Sequence, residues 1–393
     1  MPKIRRPLAV LPGIFLALLP ALFSCRAQSP GPPPERTGPS SEAGPGRTVI
    51  RDAVHDEIAK FLAGLPSDSE SYRPLRETAA WSDYAREIET NWAETEETRL
   101  RPMAVWAETE LAAPDGSAEV VFYPFGGPDF VTVYRLFPKA ETYILLGLER
   151  VGSLPVLLPM SPLRVEAYLS LMKAALADFF KRSYFITDHM DDSLPHLDGV
   201  LPVIAFFLAR SGGSVVSVRR VDFDPDGGLL ETAFRSPDEN AGRPRGVRID
   251  FSVEGADGIQ TLYYFSKDLE NKVFTPDTPL HRHLDGLSEA TTFIKSASYL
   301  LHYENFSRIR DLILAKSRRI LQDDSGIPFR HFRDGWRVRL FGVYEKPIKD
   351  FLIGEQADLA AAFRVPEAAE PLPFNLGYHW WARKDNLLLI RRE

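Results

Sequence analysis

Between Glu119 and Glu149 the chain reads EVVFYPFGGPDFVTVYRLFPKAETYILLGLE. A strand-forming run ending at Phe125 breaks on Gly126-Gly127, a helical stretch follows from Asp129 to Phe137, and a second strand run, TYILLGLE, closes on Glu149. Extended runs joined through a glycine turn and a helix confine a chain to layered α/β packing, and the same interleaving continues along its length. Trp81, Tyr84, Ile88 and Trp92 recur at helical spacing and place their aromatics on one face. A helix opens at Pro162 with Ser161 as N-cap, carries Val165, Tyr168, Leu169, Met172, Leu176 and Phe179 along one stripe, and ends on Lys181-Arg182. The runs SVVSVRRVDF, GVRIDFSV and IQTLYYFSK are rich in β-branched and aromatic residues and predict strands, the last two joined as a hairpin through EGADG. EATTFIKSASYLLHY and FSRIRDLILAKSRRIL predict two further helices that stop before QDDSGIP, where Gly326 and Pro328 are terminators and Asp323-Asp324-Ser325 belongs to the helix end. WRVRLFGVY predicts a strand, and the tail a hairpin turning at Lys384-Asp385-Asn386. The expected fold is α/β, a mixed sheet with flanking helices. The loop 236–246 is the best internal break, as a domain boundary or as a surface insertion.

The ends bound where such a domain would work. Residues 1–24 place Lys3, Arg5 and Arg6 ahead of an apolar stretch interrupted by Pro7, Pro12 and Pro20, the pattern of an export signal that is cut. Cys25 follows, the only cysteine in 393 residues, so no disulfide is available. Leu22-Phe23-Ser24-Cys25 resembles the bacterial lipobox, which implies a mature chain beginning at a diacylated Cys25 and anchored to a membrane; an ordinary cleavable signal is the other reading. With Arg26 rather than Asp behind the cysteine, the resemblance implies the outer membrane where a cell has two. Residues 25–48, rich in Pro, Gly and Ser, have too little apolar surface to fold and are expected to be a disordered tether. Residues 49–393 are the globular domain. The formal net charge of −7, more negative still without the leader's cations, argues against a nucleic-acid partner. The expected partners are the membrane, through the lipid, and an envelope protein or small ligand.

Three constellations could carry chemistry. The stretch 119–149 has the order of a Rossmann-like unit, resembling dinucleotide and S-adenosylmethionine enzymes, in which an acidic residue about 20 positions past the glycines accepts bonds from a ribose. Gly126, Gly127 and Glu149 hold those places. Against it stand the missing GxGxxG and the sequence Pro128-Asp129 at the helix start, one lacking an amide donor and the other negative; the competing reading is a structural corner with Phe130, Val133, Tyr134 and Phe137 packed inward. Asp188, His189, Asp191 and Asp192 form an acidic cluster suited to a hard cation, or a solvated loop. His281, His283 and Asp285 resemble the front of the HxHxDH motif of metallo-β-lactamase-like hydrolases, but Gly286 stands where the last histidine belongs, so the residues predict a loop that needs no zinc. The segment Tyr299–Tyr344 is similar to conserved hypothetical bacterial proteins of unassigned activity and brings no catalytic residues. No cofactor is assigned. The reading reached is an envelope lipoprotein whose domain binds a ligand or partner without catalysis; the alternative is an enzyme working at Gly126–Glu149 or through a metal. Which holds turns on whether Glu149, His189, Asp191 and Asp324 converge in one pocket.

Overall fold

A computed structural model describes residues 52–112, 119–185, 194, 196–233, 245–256, 258–382 and 384–393. Eleven strands form one mixed sheet: β1 (Val120–Tyr123), β2 (Thr142–Gly147), β3 (Gly213–Phe223), β4 (Leu229–Ala233), β5 (Gly246–Val253), β6 (Gln260–Ser266), β7 (Ala290–Ile294), β8 (Ser317–Gln322), β9 (Trp336–Gly342), β10 (Ala369–Glu370) and β11 (Asn386–Arg392). Their order is β10-β9-β11-β8-β7-β1-β2-β6-β5-β3-β4. The middle five, β8-β7-β1-β2-β6, are parallel throughout. Antiparallel pairs extend both sides, β11 running against β8 and β9, and β5 against β6 and β3.

The parallel part therefore grows outward from β1 in one direction through β2 and β6, then returns to the other side of β1 for β7 and β8. That is the doubly wound order, with its reversal between β1 and β7. Alternate side chains of each strand feed two cores. Val121, Tyr123, Tyr143, Leu145, Ile249 and Phe251 face the helices Ala53–Leu62, Ala79–Thr95, Arg101–Glu110, Phe130–Leu136, Pro162–Arg182 and Leu201–Arg210. Phe122, Ile144, Leu146, Phe265, Ile294 and Ile320 face the helices Pro279–Asp285, Ser307–Lys316 and Ala357–Phe363. Burial of both faces of a parallel sheet is what its crossovers impose. Both cores and the eleven strands of the described residues lie between Asp52 and Glu393, within the compact unit Val49–Glu393.

The helices at 79–95 and 162–182, the strands at 213–223, 246–253, 260–266 and 336–342, and the antiparallel β5–β6 connection stand where the sequence puts them. β4, ending at Ala233, and β5, beginning at Gly246, both pair with β3, so the strands on either side of the expected internal break belong to one sheet. Other expectations fail. ATTFI is strand β7, whose five residues are all buried; Thr291, Thr292 and Ile294 suit a strand covered on both faces. The predicted helix 306–321 ends at Lys316 and continues directly as β8, so Asp323-Asp324-Ser325 closes a strand and terminates no helix. The tail forms no hairpin: residues 377–382 are a 3₁₀ segment, and β11 inserts between β8 and β9. Among the described residues no helix is long and apolar enough to cross a membrane. Cys25 and the tether lie outside the described residues.

Candidate functional site

In a doubly wound sheet ligands bind outside the carboxyl ends of the strands at the reversal. Here a cavity of about 540 Å³ lies at that place, lined by the corner Tyr123–Asp129 after β1, Gly147–Glu149 after β2, Lys267–Leu269 after β6 and Lys295–Ser298 after β7. Arg182, Tyr184 and Tyr378 close its sides.

The corner and Glu149 are built against each other. Gly127 takes a φ of +52°, and its amide donates to the Leu146 carbonyl at 3.0 Å, which lays the turn across the end of β2. Gly147 is the surface it lies on: a Cβ there would stand 2.6 Å from Glu149 Oε2, 2.7 Å from the Tyr264 hydroxyl and 2.9 Å from Gly127 Cα. The Tyr264 hydroxyl donates to the Glu149 carbonyl at 2.7 Å, with Oε2 at 3.5 Å, and burial followed by Glu149's charge raises the phenol's pKa well above its ordinary value. The spacing of Glu149 from the glycines thus translates into contact, and the sequence brings Gly126, Gly127 and Glu149 to one cavity.

Asp129 behaves differently from its expected role. It is the N-cap of the helix Phe130–Leu136, and its carboxylate turns inward. Oδ1 accepts from the Thr132 amide at 3.4 Å and the Thr132 hydroxyl at 2.7 Å, while Oδ2 meets Lys295 Nζ at 2.5 Å and the Tyr123 hydroxyl at 3.2 Å. Lys295 also donates to the Ser183 carbonyl at 2.5 Å. Burial lowers the lysine's pKa and Asp129 opposes that shift. The negative charge expected to repel a phosphate is therefore neutralised by Lys295, and the same carboxylate occupies one donor of the first turn, the Thr132 amide. Phe130, at the start of that short helix, meets Tyr143 and Phe251 edge-on with centroids 5.4 and 5.5 Å away, so the corner also serves the aromatic core as the sequence suggests.

The segment after β7 is strained. Ser296, Ser298 and Tyr299 all take positive φ, at 51°, 50° and 55°. Each such non-glycine residue costs on the order of 1–3 kcal/mol and persists only where its surroundings over-determine it. Here they do: the Ser296 amide donates to Asp323 Oδ2 at 2.8 Å, the Ala297 amide to Ser325 Oγ at 2.8 Å, and the Ser298 amide to the Tyr378 hydroxyl at 3.0 Å, which in turn donates to the Ser296 carbonyl at 2.8 Å. Asp324 accepts from the Tyr299 hydroxyl and, at 2.9 Å, from Asn386 Nδ2. The Asp323-Asp324-Ser325 run is the brace that fixes this wall. Burial, reinforced by the Asp324 charge, pushes Asp323 up to about 7.

Glu149 and Asp324 do not converge: the first lines the cavity, and the second is spent behind the wall on Tyr299 and Asn386. The remaining members of that expected set, His189 and Asp191, lie outside the described residues, as do Asp188 and Asp192. His281 and His283 sit on the short helix Pro279–Asp285, where the sequence predicts a loop; His281 packs on Phe274 at 5.0 Å and His283 Nδ1 bonds the Gly227 carbonyl at 3.1 Å. Among the described residues no group of three or more histidine, cysteine, aspartate or glutamate side chains is placed to hold a metal ion. Sequence reasoning missed Lys295, Tyr264 and the 296–299 segment. A lysine directly behind the β-branched run ATTFI was the available signal for the first. No protein-family model, curated protein or solved structure matches this chain.

Proposed function

We propose that residues 49–393 are a small-ligand-binding domain, exported and held at the cell envelope by lipid on Cys25 through the tether 25–48, and that its ligand occupies the cavity at the sheet's reversal. The ligand class is a nucleoside-type molecule without phosphate, its ribose diol accepted by Glu149. One observation carries the reading: the carboxylate of Glu149 stands against Gly127 and Gly147 at the carboxyl end of the strand next to β1, beside the reversal. Phosphate is disfavoured because Pro128 lacks an amide donor and Asp129 already holds the Thr132 amide. Binding rather than turnover is favoured because polar groups around the cavity are committed to one another, Asp129 to Lys295 and Thr132, and Tyr378 to the 296–298 backbone.

Calorimetry on residues 49–393 tests this with adenosine, S-adenosylmethionine and ADP. Adenosine and S-adenosylmethionine should bind saturably and ADP no better than adenosine. Glu149→Ala should weaken binding by about tenfold to a hundredfold, the worth of a hydrogen bond to a charged group, with the melting temperature little changed. Absence of binding, or affinity indifferent to Glu149, overturns the reading. Independently, Cys25→Ser in the full chain should remove the protein from the membrane fraction, because the acyl chains contribute about 0.8 kcal/mol per buried methylene; mass spectrometry finding a mature N-terminus elsewhere would remove the anchor from the proposal.

A further inference from the structure

A second cleft, about 860 Å³, opens beside the first and shares with it Arg182, Tyr184, Ile348, Asp350 and Tyr378. Its size falls in the range of small-molecule sites. Its charge is opposite to that of the chain. Among the described residues, Lys181, Arg182, Lys346, Lys349 and Lys384 line it against two carboxylates, Glu345 and Asp350, in a protein of net charge −7. Of these cations Lys384 is paired with Glu345 at 3.0 Å and Arg182 lies 3.5 Å from Asp178. Lys181, Lys346 and Lys349 have no carboxylate within ion-pair distance among the described residues.

The walls between these cations are apolar and aromatic. Tyr184 and Tyr378 meet edge-on at 5.1 Å, Trp380 is half-buried, and Val343 leaves 43% of its surface exposed. His379, also lining the cleft, buries its Nε2 without a hydrogen-bond partner among the described residues. Lysines beside partly dehydrated apolar surface attract an anion more strongly than lysines in open water, because the local dielectric is lower. Apolar surface alone would accept any greasy molecule, so the lysines select the sign of the ligand's charge.

We propose that this cleft is a second binding site, for a carboxylate carrying an apolar chain, the chain lying against Tyr184, Val343 and Trp380 and the carboxylate facing Lys346 and Lys349. The site does not depend on what fills the first cavity. The shared wall nonetheless puts the two occupants side by side, so any coupling between them is reciprocal.

The experiment uses residues 49–393 with decanoate and, as a probe of equal chain length and opposite charge, decyltrimethylammonium, both below their micellar concentrations. Decanoate should titrate saturably with one-to-one stoichiometry and change the fluorescence of Trp380, a change absent in Trp380→Phe. The cationic probe should not saturate over the same range. The double variant Lys346→Glu/Lys349→Glu should bind decanoate at least tenfold more weakly; both side chains are exposed, so its melting temperature should hold and adenosine binding at the neighbouring cavity should stay as it was. Equal binding of the two probes, decanoate affinity untouched by the charge reversal, or no saturable decanoate binding would each overturn the proposal.

Discussion

Lys295 Nζ lies 2.5 Å from Asp129 Oδ2, with the two side chains exposing 1% and 2% of their surface. The pair spans the sheet's reversal, joining the end of β7 to the N-cap of the helix that follows β1. Removing one partner of a buried pair strands the other charge, which costs about 3–5 kcal/mol. Lys295→Met should therefore lower stability by that order in urea unfolding. Lys295→Met combined with Asp129→Asn should recover part of the loss, since no charge is left unpaired and the amide can still cap Thr132. A double variant no more stable than the single one would show that the geometry of the pair, and not its charge balance, holds the corner.

Asp385 provides a pH-dependent test. Burial pushes its carboxyl up to about 7, although the Leu376 amide donates to Oδ1 at 3.0 Å and favours the ionised form. A carboxyl whose folded pKa lies above its unfolded value, about 3.9, binds its proton more tightly in the folded state. Its contribution to stability is complete below about pH 4 and is lost as pH rises to about 7. Asp385→Asn is neutral throughout and keeps an acceptor for Leu376. Relative to the parent it should gain stability between about pH 4 and 7, at up to about 1.4 kcal/mol per pH unit for one proton, and run parallel above that window. Urea unfolding at intervals from pH 4.5 to 8 measures the difference; parallel curves throughout would show that Asp385 carries no shifted proton.

How much of this was legible in the sequence depended on how local each cause is. The helix Pro162–Arg182 announces itself through a proline at its first turn and one apolar stripe, and β3, β5, β6 and β9 through β-branched and aromatic runs. β7 is buried on both faces and so lacks the alternation that distinguishes a strand from a helix segment. β8 reads as more helix because its charges look solvent-facing; Arg319 is in fact buried, paired with Glu119 and bonded to the Leu111 carbonyl at 2.8 Å. β11 owes its place to strands β8 and β9 far earlier in the chain, which no local signal encodes. Within the site, Glu149 follows from its distance to the glycines, whereas Lys295 acquires its meaning from a partner 166 positions away.

Gly147 links the fold to the proposed ligand. An added methyl would meet two movable groups, Glu149 Oε2 at 2.6 Å and the Tyr264 hydroxyl at 2.7 Å, and one that cannot rotate away, Gly127 Cα at 2.9 Å. Gly147→Ala should lift the corner off β2, weaken the bond from the Gly127 amide to Leu146, and displace Glu149. A cost of about 1–3 kcal/mol is expected, typical of a group forced into an occupied space, together with loss of adenosine binding. Gly255→Ala is the control for a cost confined to the backbone: Gly255 has a positive φ, +80°, which Gly147 lacks, and among the described residues nothing lies within 4 Å of the added carbon, so it should cost about 1–2 kcal/mol through backbone preference and leave adenosine affinity as it was. Unfolding curves and calorimetry on the two variants separate the effects. If Gly147→Ala binds adenosine as the parent does, the contact between the corner and Glu149 is a packing feature only, and the ribose-accepting role proposed for Glu149 falls with it.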